Sequence, residues 1–138
     1  MRNVPVCCKN DVAIQNGQAL KTQRTLLATG NTDMIHVIAT VALKPGSREQ
    51  FLEEFGRVVP LVHNEEGCIA YGPTVDIPTD IEIQGPVRDN VVVIMEQWET
   101  LATLESHLVA EHMVDYRPRV KPLIENTNIQ ILKPAGEE

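Results

Sequence analysis

One stretch of the sequence contains most of the side chains that could perform acid–base chemistry beside an aromatic surface. Glu96 and Trp98 are separated by one residue, and His107, His112 and Tyr116 follow in the next part of the chain. His112 and Tyr116 are one helical turn apart, so a helix would place them on the same side. Titratable groups that converge on an aromatic wall are typical of a small-molecule cleft. We therefore predict a cleft at which Trp98, His107 and His112 meet.

Each of these side chains also has a structural interpretation. Trp98, the only tryptophan of the chain, could fill the core of a small domain, because large aromatic residues dominate such cores. His107 could cap the C-terminal end of a helix, where the macrodipole favours positive charge. Glu96 is less easily explained in this way, since strand alternation places it on the same face as Trp98 and a buried carboxylate needs a partner. A histidine is the expected partner, so the residues together favour the functional interpretation.

Strand and helix patterns alternate along the chain around these residues. β-forming residues predict four strands, at residues 35–43, 68–75, 91–98 and 128–132. Helical spacing of apolar residues predicts one helix between the first two strands and another that begins at Leu101 and ends near His107. The order strand, helix, strand, strand, helix, strand is that of a ferredoxin-like α+β fold with a split βαβ sheet.

Cap and turn residues predict where the helices begin and end. Ser47 and Gln50 have the spacing of a capping box at the start of the first helix, and Gly67 is the expected stop after it. A short helical segment is predicted to resume near His112. Pro118 is expected to break that segment, because proline lacks the backbone N–H that a helix interior uses.

Both faces of the first predicted strand are largely apolar. If helices cover one face of the sheet, the other face, which carries Ile38 and Ala42, would expose more apolar surface than is usual in one patch. A second copy of the chain could bury that face symmetrically. We therefore predict a homodimer.

Composition limits the classes of protein that the sequence can specify. A chain of 138 residues that is 43% hydrophobic has material for one core. Residues 1–33 show no periodicity and are predicted to be a flexible N-terminal extension, followed by a domain at 34–134 and an acidic tail at 135–138. Residues 1–33 carry four basic and two acidic side chains, and eight basic and seventeen acidic side chains follow, so the net charge of −7 combines +2 in residues 1–33 with −9 after them. Nucleic acid and anionic membranes are therefore not expected partners.

Several other kinds of site are not expected from the motifs. Cys7 and Cys8 are adjacent and the third cysteine, Cys68, lies in an apolar stretch, so we predict reduced thiols, with Cys68 as a core residue. The sequence contains no Gly-rich phosphate loop, no metal-binding His–Glu spacing and no nucleophile elbow. Neither a nucleotide, a flavin nor a metal is expected. The sequence also lacks a membrane span and a secretory h-region, which favours a cytoplasmic location.

Six short motifs, taken together, are similar to those of a known family. They are Lys44-Pro45-Gly46, Glu65-Glu66-Gly67-Cys68, Glu96-Gln97-Trp98-Glu99, the helix end from Leu104 to His107, His112-Met113, and Ile131-Leu132-Lys133-Pro134. With these motifs the chain resembles the antibiotic-biosynthesis-monooxygenase family from Met34 to Pro134, and within it the bacterial quinol monooxygenases that act on menadiol-type hydroquinones. The resemblance implies a dimeric α+β barrel with one cleft per subunit.

The resemblance also implies an activity and a set of site residues. The implied enzyme is a cofactor-independent monooxygenase that oxidises a hydroquinone or polycyclic phenol to a quinone, with dioxygen as co-substrate and no metal, flavin or haem. His107 and His112 would be the catalytic residues, and histidine suits removal of a phenolic proton at neutral pH. The residues implied to bind the small aromatic substrate are Trp98, Glu96, Tyr71, Tyr116 and Ala39. Haem degradation is disfavoured, because the first strand lacks the asparagine of haem-degrading relatives.

Two alternatives stay open from the sequence. Some relatives isomerise a phosphorylated signalling sugar derivative in the same cleft, and the basic cluster of Arg117, Arg119 and Lys121 could hold its phosphate. The same cluster is also typical of a solvated helix end. The other alternative is a non-catalytic dimer that binds an aromatic ligand, which would show tight binding without consumption of oxygen.

Overall fold

The structure is a computed structural model that describes residues 33–136. Its elements are β1 (Ile35–Leu43), α1 (Arg48–His63), β2 (Cys68–Thr74), β3 (Val91–Trp98), α2 (Leu101–Leu108), α3 (Glu111–Val120), a 3-10 turn (Lys121–Leu123) and β4 (Ile124–Leu132). Almost all of the predicted N-terminal extension and part of the acidic tail lie outside the described residues, so both stay predictions. None of the helices in the described part has the length and apolar character that a membrane crossing requires.

The four strands form one sheet in the order β2-β3-β1-β4, and every neighbouring pair is antiparallel. The crossover from β1 to β2 contains α1, and the crossover from β3 to β4 contains α2 and α3. This is the split βαβ topology. The structure therefore confirms the predicted ferredoxin-like α+β fold.

The two faces of the sheet differ in burial. On β1, the odd-numbered residues Val37, Ala39 and Val41 are buried in the core, whereas the even-numbered residues are only half-buried. β1 pairs with β3 so that Val37 lies opposite Glu96, and opposed residues of antiparallel strands share a face. Glu96 therefore lies on the core face of the sheet. The other face carries partly exposed apolar residues, among them Met95, which is 51% exposed.

The predicted helix ends needed correction in two places. Ser47 makes no side-chain cap, and the helix that follows it ends at His63, with Asn64 as its C-cap, before Gly67. The capping box occurs instead at the start of α2, where Thr100 and Thr103 satisfy each other's backbone N–H groups. Gly67 has a φ of +80° in the turn before β2, and a Cβ there would collide with the Thr103 side chain. Glycine is therefore required at position 67 for two independent reasons.

The prediction that Pro118 breaks the helical segment near His112 was wrong. Pro118 lies inside α3, which continues to Val120. Met113, Tyr116 and Val120 recur at helical spacing and are buried. Burial of this apolar face offsets the lost backbone hydrogen bond, because packing contributes more to the stability of a short helix than propensity does.

The long loop between β2 and β3 is tied together at its base. Arg88 donates from Nε and from its backbone N–H to Asp76 Oδ2, at 2.8 and 3.0 Å, and from Nη2 to Oδ1. These hydrogen bonds lower the pKa of the Asp76 carboxyl to about 2. The carboxylate–guanidinium pair thus holds together the two ends of a segment that shows no clear helix or strand pattern in the sequence.

Candidate active site

A cavity of about 730 Å³ lies between the core face of the sheet and the helices. This volume is in the range of cavities that bind drug-sized ligands. Its lining includes Ala39, Tyr71, Glu96, His107 and Tyr116, five of the seven residues that the sequence placed in the cleft. The other two, Trp98 and His112, are not among the lining residues.

Glu96 is the carboxylate of the cavity wall. It is 8% exposed, and its Oε2 accepts a hydrogen bond of 2.8 Å from Trp98 Nε1. Burial raises the pKa of the Glu96 carboxyl, against the lowering effects of the Trp98 hydrogen bond and of nearby His107. The prediction that a histidine would be the partner of Glu96 was wrong, because both candidate histidines are hydrogen-bonded to a different carboxylate.

That second carboxylate is Glu65, in the turn between α1 and β2. Its Oε2 lies 2.8 Å from His107 Nδ1 and 3.0 Å from His112 Nε2, so one oxygen joins both rings. The two histidines come from different helices, the end of α2 and the start of α3. No role for Glu65 was predicted from the sequence, although the residue belongs to one of the family-like motifs. No local spacing could have found it, since 42 residues separate it from His107.

His107 is held in one orientation by this contact and by two aromatic rings. Its ring lies 4.7 Å from the Trp98 ring and 5.3 Å from the Tyr71 ring, between centroids. A Glu65 carboxylate accepts a hydrogen bond from Nδ1–H, which places the lone pair of a neutral imidazole on Nε2. Within residues 33–136, Nε2 has no hydrogen-bond partner, and His107, although only 2% exposed, is one of the residues that line the cavity. His107 can therefore accept a proton from a molecule in the cavity.

Trp98 lies behind the cavity wall. Its side chain is fully buried and contacts two polar residues of the wall, Glu96 through a hydrogen bond and His107 through a ring tilted by 34°. The sequence predicted Trp98 as part of the wall itself. Trp98 is the last residue of β3, and only two residues separate it from the start of α2. This position at the end of the strand accounts for the difference between the predicted and the observed place of Trp98.

Four aromatic side chains form part of the apolar lining of the cavity. Phe55 of α1 stacks on Tyr71 with centroids 5.2 Å apart, and the edge of Tyr116 meets Phe55 at 6.0 Å. Burial raises the pKa of both tyrosine phenols, so they keep their protons at neutral pH. Phe51 and Phe55 also line the cavity. In the sequence, both residues belong to the apolar pattern that predicts the first helix. That pattern does not distinguish a residue of the core from a residue that lines a cavity.

Glu65, His107 and His112 could together hold a divalent cation. One ligand atom from each residue lies within 4.8 Å of the others, among the residues that the structure describes. Two imidazoles and one carboxylate are ligands that zinc and iron accept. In the structure both ring nitrogens are hydrogen-bonded to Glu65 Oε2. Each of the three side chains therefore already has a hydrogen-bond partner. A test of activity must therefore include removal of metal.

Cys68 has the properties of a structural thiol. It is half-buried at the start of β2. Burial, with contributions from the charges of Glu65 and Glu96, raises the pKa of the Cys68 thiol to about 11. Since the thiolate is the nucleophilic form, Cys68 is not a nucleophile at neutral pH.

Replacing Glu96 with glutamine is expected to stabilise the fold at alkaline pH. Because burial raises the pKa of Glu96, this group contributes stability at low pH that is lost as pH rises through the folded-state pKa. Glutamine stays neutral, and its carbonyl oxygen can still accept the Trp98 N–H. We expect a gain of about 1 kcal/mol in the free energy of unfolding at about pH 8, shrinking towards about pH 5. Urea denaturation at both pH values measures the change in the free energy of unfolding. A change that is the same at both pH values would show that the charge of Glu96 is not its cause.

Comparison with known proteins agrees with this architecture. Residues 34–119 match the sequence profile of the antibiotic biosynthesis monooxygenase family. The chain is 42% identical over 104 residues to the probable quinol monooxygenase YgiN of Escherichia coli (strain K12), an alignment that covers 74% of this chain and 99% of that protein. Among solved structures, PA3566 from Pseudomonas aeruginosa is 25% identical with a TM-score of 0.63, covering 75% of this chain and 96% of that one. Rv0793 from Mycobacterium tuberculosis is 21% identical with a TM-score of 0.62, covering 75% and 97%. The resemblance inferred from the motifs is thus confirmed, and the chain belongs to the antibiotic biosynthesis monooxygenase family.

Proposed function

We propose that this chain is a cofactor-independent monooxygenase that oxidises a hydroquinone or a polycyclic phenol with dioxygen. The observation that carries the proposal is the contact between Glu65 and His107 at the polar end of the cavity. Glu65 holds Nδ1 of His107, and Nε2, which has no hydrogen-bond partner within residues 33–136, can accept a proton. The printed name of the Escherichia coli relative, a probable quinol monooxygenase, supports the substrate class. Family membership supports the oxygenase chemistry.

The first step is removal of a phenolic proton. The substrate ring lies against Phe55, Tyr71 and Tyr116, and its hydroxyl group donates to His107 Nε2. Transfer of the proton produces an electron-rich phenolate, and Glu65 stabilises the imidazolium that forms. A correctly placed base of this kind contributes about 10²- to 10⁴-fold to a rate.

The second step uses one dioxygen molecule per substrate. The phenolate gives one electron to dioxygen, and the resulting superoxide joins the ring radical at a carbon that carries hydrogen. His107 returns its proton to the peroxide, the O–O bond breaks, and the ring carbon loses its hydrogen as a proton. One oxygen atom stays on the ring and the other leaves as water. A phenol gives a quinone, and a hydroquinone gives a hydroxylated quinone.

Glu96 has a binding role in this scheme. Its Oε2 is occupied by Trp98, which leaves Oε1 for the substrate. Because the pKa of Glu96 is raised, its protonated form is favoured more than in water and can donate a hydrogen bond to an oxygen of the ring. Such a donor stabilises negative charge that develops there during oxidation.

The test uses an oxygen electrode to measure the consumption of oxygen by EDTA-treated protein, with menadiol as substrate. We expect turnover above the rate of autoxidation in buffer, and none without oxygen. With ¹⁸O₂, the enzymatic product should carry one labelled oxygen atom, whereas autoxidation yields unlabelled menadione and hydrogen peroxide. Turnover no faster than in buffer would refute the proposal. Activity that disappears with EDTA and returns with added metal would refute its cofactor-independent form.

We also propose that the enzyme is a homodimer formed through the second face of the sheet. Ile38, Val93 and Met95 make this face apolar, and within residues 33–136 none of the three is buried. Sedimentation velocity should give twice the mass of one chain, and Met95→Lys should shift it to one chain because a buried lysine would be unpaired. Ile83→Lys, at a residue of the β2–β3 loop that is 95% exposed, is the matched control and should stay dimeric. A monomeric wild type would refute the dimer.

A further inference from the structure

The open end of the cavity carries two cationic side chains. Arg117 and Lys121 both line the cavity and are exposed, which places them at its mouth. Within residues 33–136, neither forms an ion pair within 4.0 Å. Arg119, the third member of the basic cluster, lies away from the cavity and is paired with Glu54 at 3.3 Å. The structure thus separates the cluster into one internal ion pair and two cations that face the cavity mouth.

Arg117 is held in place at this mouth. Its Nη2 donates to the backbone carbonyl of Leu108, the last residue of α2, which also lines the cavity. A guanidinium has five N–H donors in a planar fork. One contact to the backbone therefore fixes the group and leaves most of its donors for a ligand.

The position of the two cations needs more than a structural explanation. Basic residues near the end of a helix interact favourably with the helix dipole, and this accounts for their residue type. It does not explain why both side chains line the cavity in a chain of net charge −7. Local positive charge on an acidic protein attracts anions to one place and not to the rest of the surface.

We infer that the cavity selects aromatic acids, in which a phenolic ring system carries a carboxylate or sulfonate opposite the reacting hydroxyl group. The orientation rests on the proposed function: the hydroxyl group lies at His107 and Glu96, and the anion lies between Arg117 and Lys121. The ring spans the aromatic side chains between these ends. A planar carboxylate can accept two parallel hydrogen bonds from a guanidinium, which adds geometric selectivity to charge.

The test compares two phenols under anaerobic conditions, so that neither ligand can be oxidised during the measurement. Binding of 6-hydroxy-2-naphthoate and of 2-naphthol is measured by isothermal titration calorimetry at low ionic strength. We expect the acid to bind about tenfold tighter than the neutral phenol. In the double variant Arg117→Gln/Lys121→Gln, the ratio should fall to one or below, because the remaining charge of the protein repels the acid. The sulfonate analogue should behave like the carboxylate.

Arg119→Gln is the matched control, since it removes the same charge from the same helix at a residue outside the cavity lining. It should leave the ratio of affinities unchanged. Circular dichroism checks the fold of each variant. If the double variant does not fold, Arg117→Gln alone and a salt titration of the wild type test the contribution of the two cations instead. Added NaCl should then reduce the binding of the acid much more than that of 2-naphthol.

Three results would overturn the inference: equal binding of both ligands by the wild type, an equal loss of selectivity in Arg119→Gln, or no binding of either ligand. Because the measurement is of binding alone, it is independent of turnover. Selective binding of the acid, combined with no oxygen consumption in the menadiol assay, would support the anion subsite and count against only the proposed reaction.

Discussion

Replacing His107 with glutamine is expected to lower kcat/KM for menadiol oxidation by about 10²- to 10⁴-fold, because the variant loses the base that accepts the phenolic proton. Glutamine can keep a hydrogen bond to Glu65 Oε2, which lies 2.8 Å from His107 Nδ1 in the structure, so the fold should be retained. The loss should appear mainly in kcat, since the wall that binds the ring is unchanged. Oxygen consumption corrected for autoxidation measures it.

His112→Gln is the matched control for this experiment. His112 bonds to the same carboxylate oxygen but is not part of the cavity lining, so we expect a loss of less than about tenfold for a group without contact to substrate. A larger loss in His112→Gln than in His107→Gln would assign the base to the other histidine. Equal activity of both variants and the wild type would remove histidine from the mechanism.

Glu65 is a positioning residue, and its role can be separated from a merely structural one. Glu65→Gln keeps the size of the side chain but offers an N–H to His107 Nδ1, which favours the tautomer with the proton on Nε2. We expect a rate loss comparable to that of His107→Gln. ¹⁵N spectra of the imidazole should show protonation moving from Nδ1 to Nε2. An unchanged tautomer combined with lost activity would contradict this explanation.

Trp98→Phe is expected to lower the free energy of unfolding by about 2–4 kcal/mol. The substitution removes volume from a fully buried site and deprives Glu96 of the indole N–H at 2.8 Å. Because that hydrogen bond stabilises the charged carboxylate, the destabilisation should grow as pH rises and Glu96 ionises. Urea denaturation followed by circular dichroism at several pH values measures both effects.

A double-mutant cycle with Glu96→Leu isolates the hydrogen bond from the lost volume. On the Glu96→Leu background, Trp98→Phe removes no partner from a carboxylate, so its cost should be smaller and independent of pH. Additive costs at every pH would show that Trp98 acts only by filling space.

The sequence predicted the central strands best. The bounds of β1 and β3 agree with the predicted ranges, because runs of β-branched residues in central strands carry a strong signal. β4 was predicted to begin at Asn128 but begins at Ile124. Its first residues show no alternation, and pairing with β1 holds them in the sheet. Tertiary contacts, which a local pattern does not contain, set the start of this strand.

The sequence predicted the candidate site only where a single strand or helix determines which side chains share a face. Strand alternation placed Glu96 and Trp98 on one face, and the structure agrees through their direct hydrogen bond. The partner of His107 depends on how the turn after α1 approaches the end of α2, which no residue spacing encodes. For the same reason the sequence placed His112 on the cavity wall, whereas its ring is directed to Glu65.

The edge position of β4 has a consequence for how a ligand enters. Ile129, which lines the cavity, is 51% exposed and lies on a strand that pairs only with β1 in the described part of the chain. A strand held along one side opens more readily than a central strand, so this wall of the cavity is less protected than the walls that β1 and β3 form. A bound ligand should therefore slow amide hydrogen exchange in β4 more than in β1 or β3. The enzyme would then admit its substrate through fluctuations of a sheet edge, and binding would stiffen that edge.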